Sequence, residues 1–453
     1  MGNRLISKSS FIRGMQCHKS LWLHLNEPEE RSETSEAQQQ IFDTGHNIGS
    51  LAQQLFPGGV DASRGDHSGI FEAITYTSDL IGDGQKVIYE AAFSDGETLC
   101  YMDILVKEVD GWAAYEVKAS TQVKEYQVND VAFQYYVITR SGLPLQRVSL
   151  VHLNNQYVRR GEIDIRQLFT IEHMTERILP MQQDIPTKLM AQQEMLKAGL
   201  MPEIPMEYHC HHPFNCDFLE FCRQNGPTND GEGDVRPANR DQDALDEFLS
   251  ELEYPLYSMD FETIQFAIPR YDESRSYQQI PFQYSLHVQQ VKDGSLDHFE
   301  FLGTPLCDPR PEFIESLLSR IGDHGSILVW NQAFENTRLR ELARDFPEVG
   351  AGIDRVINRM ADLAVPFRRK HLTMPEMHGS WSLKAVLPAM VPDLSYGNLD
   401  IQEGGTASMT YDSLYSDEDA ESIRVKRENL LAYCKMDTLS VVRILEMLTT
   451  FSG

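Results

Sequence analysis

The 453-residue chain lacks any apolar run approaching the ~18 residues that cross a bilayer, and its opening MGNRLISKSS lacks the apolar core of a secretory leader. Those two absences point to a cytoplasmic protein with no membrane partner. Positive charge is scarce: 40 Lys and Arg stand against 68 Asp and Glu, a formal net charge of −28. Such a chain repels polyanions at long range, so a nucleic-acid role requires a local basic groove or bound divalent ions. Cysteine is scarce too, and the odd count of seven, unevenly spaced, argues against a disulfide framework and for a reducing compartment. Internal repeats and extended low-complexity tracts are lacking.

With 41% hydrophobic residues, the chain is long enough for two well-packed domains. The polar, Gly-, Pro- and Asn-rich stretch RQNGPTNDGEGDVRPANRDQ follows Cys222 and precedes the periodic DALDEFLSELEYPL. This places a first domain at 1–226, a linker at 227–241 and a second domain at 242–453, both expected to be α/β. The acidic segment YDSLYSDEDAES at 411–422 reads as a solvated loop and helix start.

In the second half, Asp260 and Glu262 sit in YPLYSMDFET, an apolar run where i, i+2 spacing sends both carboxylates to one face of a strand. Glu335 follows ILVWNQAFE, where a buried strand is expected to end at Asn331 and a helix to begin, near the sheet end at which open α/β folds bind ligands. Tyr433 and Asp437, in LLAYCKMDTLSVVRIL, are four apart on a periodic helix and project from one side. Carboxylate oxygens suit Mg2+ or Mn2+, and two such ions roughly 3.5–4 Å apart can activate water and stabilise a leaving oxygen in phosphodiester hydrolysis. Tyr433 would orient the water or the scissile phosphate. Solvated acids and a core tyrosine are the bland alternative. These residues resemble the DEDDy exonucleases of the RNase H-like fold: DFE matches D-x-E, YCKMD matches Y-x3-D, and NQAFE is similar to N-x2-F-D with glutamate replacing aspartate. Asp362, between these elements, stays unassigned.

In the first half, KVIYEAAFSDGETLCYMDILVKEVDGWAAYEVKAS reads as a three-strand meander with DG turns at 95–96 and 110–111. Asp103 opens the middle stretch, and Glu116 and Lys118 flank Val117 and share one face of the third strand. Metal held by Asp103 and Glu116 would activate water, Lys118 would offset charge on a phosphorane, and Glu90 is a candidate helper. An edge-strand charge pair is the alternative. The pattern resembles the RecB-like branch of the PD-(D/E)XK (restriction-endonuclease-like) nucleases. That resemblance implies His46, in TGHNIGSLAQQLF, as an upstream metal ligand, and Gln134 on the following helix, preferred to Gln122 with Tyr126.

Cys210, Cys216 and Cys222 form C-x5-C-x5-C in YHCHHPFNCDFLEFC, and Cys17 lies alone in FIRGMQCHKSLWL. The layout is similar to the CRISPR-associated and AddB-type RecB nucleases, which implies that these four thiolates hold a 4Fe–4S cluster. Zinc is the rival, because His209, His211 and His212 crowd Cys210. Cys100, Cys307 and Cys434 stand singly in apolar runs and read as inert buried thiols.

Nearly the whole chain resembles a bacterial family of uncharacterised proteins that fuses a RecB-like nuclease domain to a DEDDy-like domain. The resemblance is carried by LISKSSFIRGMQCHKSLWL, EVKAS, FETIQFAIPRY, IPFQYSLH, GSWSLKAVLP and YCKMDTLS. It implies a divalent-metal-dependent nuclease with two potential sites, acting on DNA in preference to RNA, especially on single strands or ends. The alternative is a nucleic-acid-binding or assembly protein with one or both sites degenerate and a structural metal cluster. Basic candidates are Arg368, Arg369, Lys370 and His371 in PFRRKH, with Arg338, Arg340 and Arg344 after Glu335; Tyr284, His287 and Trp381 are candidates for base stacking.

Overall fold

The computed structural model describes residues 5–34, 36–63, 69–225 and 238–451. The chain is α/β, and its described residues fall into two compact units. One runs up to residue 225 and the other from 238 onward, except that Ala267–Pro269 and Arg275–Tyr277 group with the first. Most of the expected linker, residues 227–237, lies outside the described residues. Its last part is ordered chain rather than linker: Asn239–Arg240 forms a short strand, and Asp241 caps the helix Gln242–Ser250 by accepting from the Ala244 amide. No helix among the described residues is long and apolar enough to cross a membrane.

The first unit holds one mixed sheet of β1 (Ile6–Ser7), β2 (Val60–Asp61), β3 (Val87–Ser94), β4 (Thr98–Lys107), β5 (Trp112–Lys118), β6 (Leu145–Leu153) and β7 (Phe169–His173), in the order β2-β3-β4-β5-β6-β7, with β1 pairing β4. The β3–β4–β5 meander is antiparallel, and Gly96, at φ +91°, supplies the positive φ its first turn needs. β5 and β6 are parallel, which forces a crossover, made by the helix Glu125–Arg140. That helix buries Val128, Val131, Phe133 and Val137 against the face carrying Ala91, Met102 and Ala114. Ile48 and Ala52 of the helix Glu36–Ala52 cover the opposite face, around Ile104, Ala113 and Tyr115.

The second unit adds β8 (Asn239–Arg240), β9 (Leu256–Gln265), β10 (Gln279–Gln289), β11 (Leu296–Leu302), β12 (Ser326–Val329), β13 (Met360–Asp362) and β14 (Leu372–Thr373). Five of these form a mixed sheet in the order β11-β10-β9-β12-β13, and β8 pairs β14 separately. Along β9 the pleat sorts the side chains: Tyr257, Met259 and Phe261 join the core with Phe313 and Leu339. Leu256 and Ile264 join the opposite core, with Val441, Ile444 and Leu448 of the helix Ala420–Phe451. Asp260 and Glu262 share the parity of Leu256 and Ile264, so they face that long helix.

Two expectations change here. Tyr411 is not solvated: its ring is fully buried and stacks on Phe282 at 3.8 Å, because an aromatic face gains more from the core than from an acidic loop. Tyr284 and His287 are buried as well, with the Tyr284 hydroxyl 2.7 Å from Ser316 Oγ, which removes both from the candidates for base stacking.

Arg310 is fully buried, its guanidinium 2.7 Å from Asp308 Oδ2 and 3.2 Å from Asp345 Oδ2, and it donates to the Asp272 carbonyl at 2.9 Å. Arg310→Met should destabilise this unit by about 3–5 kcal/mol, because it strips a buried charge network of its cation. Adding Asp345→Asn should restore part of that loss in denaturant unfolding, and purely additive effects would contradict the coupling.

Candidate active sites

In the second unit, β9 supplies Asp260 and Glu262, and the helix Ala420–Phe451 supplies Tyr433, Cys434 and Asp437. One ligating atom each from Asp260, Glu262 and Cys434 lies within 4.8 Å of the others. Cys434 Sγ is 3.8 Å from Asp260 Oδ2, and the Tyr396 hydroxyl donates to Asp437 Oδ1 at 2.6 Å. Glu335 is buried in the first turn of the helix Gln332–Asp345, and its Oε2 has no hydrogen-bond partner among the described residues. A Cβ on Gly404 would stand 3.7 Å from Glu262 Oε2, so the positive end of the helix Gly404–Ser413 lies beside that carboxylate.

This grouping strains ionisation. Burial holds Asp260 and Glu262 well above the usual carboxylate range, with Asp437 adding at both and Glu262 and Glu335 adding at Asp260. Burial raises Asp437 to about 7, against the Tyr396 hydrogen bond and the charge of Lys384. Glu335 rises to about 8, again through burial, with Asp362 adding to the shift and Arg338 opposing it. The Tyr433 hydroxyl is pushed up by burial and then by Asp437, Glu262 and Asp260, so it stays a proton donor at neutral pH. Lys384 lies 5.9 Å from the Tyr433 ring centre and 5.8 Å from that of Tyr396. Several acids thus meet one nearby ammonium, a donor set that fits hard divalent cations.

In the first unit, strand register sets three acids in a row. The pairs Tyr89 with Ile104 and Ala91 with Met102 bracket Glu90 opposite Asp103, and Ile104 with Tyr115 puts Glu116 next to Asp103 on the other side. Glu90 has φ +53°, rare for a residue with a Cβ and a form of strain that clusters at functional sites. Ile88 and Ala91, three apart, share one core, as do Met102 and Leu105, so alternation slips one place on both strands at this step.

Glu116 is buried and heavily bonded. Its Oε1 is 2.6 Å from Lys8 Nζ and 2.9 Å from Lys118 Nζ, and its Oε2 accepts from Gln134 Nε2 at 2.5 Å. Lys118 also reaches Asp130 at 2.6 Å, Gln134 donates to the Tyr101 carbonyl at 2.8 Å, and the Val117 amide donates to Asp103 Oδ2 at 2.5 Å. Burial would raise Glu116, but Lys118, Lys8 and Gln134 bring it down to about 2. Burial and Glu116 raise Asp103 to about 7, and burial with Asp103 raises Glu90 to about 8. An ionised acid beside two whose carboxyls are pushed up is an acid–base pairing set by environment.

Cys17, Cys210, Cys216 and Cys222 line one cavity with Phe218. Arg13 forks onto Asp217 at 2.5 and 2.9 Å, and Gln16 Nε2 donates to the His209 and Phe214 carbonyls at 2.8 Å. Cys210 Sγ is 3.6 Å from His209 Nε2, yet among the described residues no three of these cysteine or histidine ligand atoms lie within 4.8 Å of one another.

His46 is exposed on its helix, and among the described residues no hydrogen bond or ion pair joins it to the acids. Cys307 is exposed rather than buried, since the Pro-rich GTPLCDPRP turns outward there. Sequence reasoning missed Lys8, Asp130, Lys384, Tyr396 and Cys434. Two carried a signal: Asp130 lies four residues before Gln134, and Cys434 three before Asp437, each pair on one helix face. The others arrive from distant segments.

A domain of unknown function, DUF2779, matches residues 257–382, which take in Asp260, Glu262 and Glu335 but not Tyr433 or Asp437. Uncharacterized protein UU173 of Ureaplasma parvum serovar 3 is 32% identical over 159 residues, 32% of this chain and 22% of that protein. Uncharacterized protein MG366 homolog of Mycoplasma pneumoniae is 27% identical over 203 residues, 41% of this chain and 31% of that protein. The chain spans less than a third of the length of these curated relatives.

The Glu335 shift generates a pH prediction. Its carboxyl titrates near 4.5 unfolded and about 8 folded, so the native state holds the proton more tightly, and stability falls as pH rises from about 4.5 through about 8. In chelator, Glu335→Gln should gain on the wild type by on the order of 2–4 kcal/mol between pH 5 and pH 8.5. A constant difference across that window would show that Glu335 titrates normally.

Proposed function

We propose that the chain is a divalent-metal-dependent nuclease that hydrolyses phosphodiester bonds, DNA in preference to RNA, with a DEDDy-type RNase H-like site in the second unit and a PD-(D/E)XK-type site in the first. The observation that carries this reading is the convergence of half-buried Asp260 with buried Glu262, Glu335 and Asp437, Asp260 facing the charge of the other three, beside the protonated hydroxyl of Tyr433. Acids so placed are costly unless a multivalent cation joins them.

Asp260, Glu262, Asp437 and Glu335 would hold Mg2+ or Mn2+. Such ions, when bound, supply an activated water and charge stabilisation at the leaving oxygen. Tyr433 orients a phosphate oxygen or the water by donating its proton, and Tyr396 fixes Asp437. Lys384, over both tyrosine rings, offers positive charge to the incoming phosphate. In the first unit, Asp103, Glu116 and Glu90 would hold metal, Gln134 orients Glu116, and Lys118, fixed by Asp130, places an ammonium for the developing charge.

A second reading applies to the first unit alone. Lys8 already satisfies Glu116 Oε1, which favours a structural ion-pair network there and a binding rather than cleaving role. The four thiols, which line one cavity, would hold a 4Fe–4S cluster, with a mixed Cys/His zinc site as the rival because His209 Nε2 lies 3.6 Å from Cys210 Sγ.

Labelled single- and double-stranded DNA and RNA, incubated with magnesium, manganese or chelator, test the nuclease reading. Asp260→Ala and Glu262→Ala should each cut metal-dependent end trimming on the order of 100-fold, with Tyr433→Phe milder at about tenfold. Lys118→Ala should remove a different set of products, and if it removes none, the structural reading of the first unit stands. Full trimming by Asp260→Ala in a Lys118→Ala background would sink the DEDDy-type assignment.

Anaerobically purified protein should be brown, with iron and sulfide in nearly equal amounts and broad absorption near roughly 400 nm. Cys17→Ser should lower the stability of the first unit more than Cys100→Ser, because the closure restrains about 200 residues of chain. Colourless protein with one tightly held zinc would reverse the metal assignment.

A further inference from the structure

We infer that the hollow beside the second-unit acids is a base pocket that takes one unpaired nucleotide of the substrate strand, its base against Trp381 and its phosphate on Lys370. This rests on the nuclease reading of that unit and deepens it by naming the strand form recognised.

The hollow has a volume of about 260 Å³ and a floor of Phe367, Leu372 and Met377, all buried. That is below the roughly 300–1,000 Å³ of sites for drug-sized ligands and suits a single flat ring system. Its rim carries Arg368, Lys370 and Trp381. Trp381 is 40% exposed, although a buried indole would gain more free energy. Arg368 lies 5.5 Å from its ring centre and is itself anchored 3.0 Å from Asp362 Oδ2, so the indole is a braced wall. Lys370 takes φ +64°, and with Arg369 and His371 it makes a dense basic run in a chain of net charge −28. An apolar slot, a braced aromatic wall and a cationic rim together fit a planar base joined to an anion.

One ion pair and one short stretch of chain tie the hollow to the acids. Asp362, which anchors Arg368, is the charge that helps raise Glu335. Trp381 lies three residues before Lys384, whose charge reaches Glu262 and Asp437. A strand with a phosphate at the acids therefore has a neighbouring base within reach of the pocket. A base paired in a duplex cannot enter without unpairing, so the pocket selects single strands or frayed ends.

The test is fluorescence anisotropy of the full chain with labelled single-stranded oligonucleotides, without added divalent metal, in parallel with a set carrying one abasic residue at successive positions. Trp381→Ala should weaken binding to the intact strand about tenfold, within the range of base–aromatic stacking, and Trp381→Phe should recover most of it. For the oligonucleotide whose missing base belongs in the pocket, Trp381→Ala should have no further effect, an outcome that a merely structural tryptophan would not give. Arg369→Ala with Lys370→Ala should weaken intact and abasic strands alike and flatten the log–log salt slope by roughly 1.4. Equal binding by wild type and Trp381→Ala, or no binding of single strands by the wild type, would overturn the pocket. Wild-type protein that binds strands in this pattern yet cleaves nothing with either metal would instead overturn the nuclease reading and leave the pocket standing.

Discussion

Burying several carboxylates together is the constraint on which the rest of the structure turns. Each ionised acid taken from water costs several kcal/mol after relaxation, and like charges a few ångströms apart add to that. The two units answer this differently. In the first, Lys8 and Lys118 neutralise Glu116 from within the chain, leaving Asp103 and Glu90 with raised affinity for protons. In the second, Lys384 is the nearby ammonium for Glu262 and Asp437, so the charge deficit is met largely by protonation. The second arrangement depends more on an added cation, and so its acids carry the functional argument more directly than those of the first.

The scaffold spends local regularity to hold these groups. At Glu90 the strand leaves its ordinary backbone region, and the slip in alternation on β3 and β4 lets two acids face each other where a regular pleat would pair apolar residues. The helix Lys8–Gln16 joins two features that sequence reading treats separately. Its first residue bonds Glu116, and Cys17 at its C-terminal end belongs to the thiol quartet. Nine residues of helix therefore separate the Glu116 contact from the thiol cavity, a shorter route than the sequence distance from Cys17 to Glu116 suggests.

Much of this was legible because local periodicity is short-range physics. The i, i+2 parity of Asp260 with Glu262, the i, i+4 step from Tyr433 to Asp437, and the meander containing Asp103 and Glu116 follow from geometry that any strand or helix imposes. Long-range closure was less legible. Lys8 reaches Glu116 across 108 residues, and Tyr396 reaches Asp437 across 41; neither spacing has a period to read. For His46, an amphipathic pattern fixes which side of the helix is wet but not which neighbour that side meets. Tyr411 was misread because its acidic neighbours outvoted one ring in composition, whereas burial is decided side chain by side chain.

The net charge of −28 does not oppose the nucleic-acid reading once its distance dependence is considered. At physiological ionic strength charges beyond about 8 Å are largely screened, so a polyanion near the second-unit acids responds to what lies within that radius. There it meets Lys384, together with carboxylates whose raised affinity for protons makes them less negative than a formal count assigns, while Arg368 and Lys370 line the hollow. The long-range repulsion remains as a penalty on association rate, which falls on every polyanion alike. Discrimination is left to short-range features: the braced indole, the apolar slot and the acids. On the proposed reading, selectivity would then come from strand form rather than from bulk affinity, with ends and unpaired segments engaged and intact duplex left largely unbound.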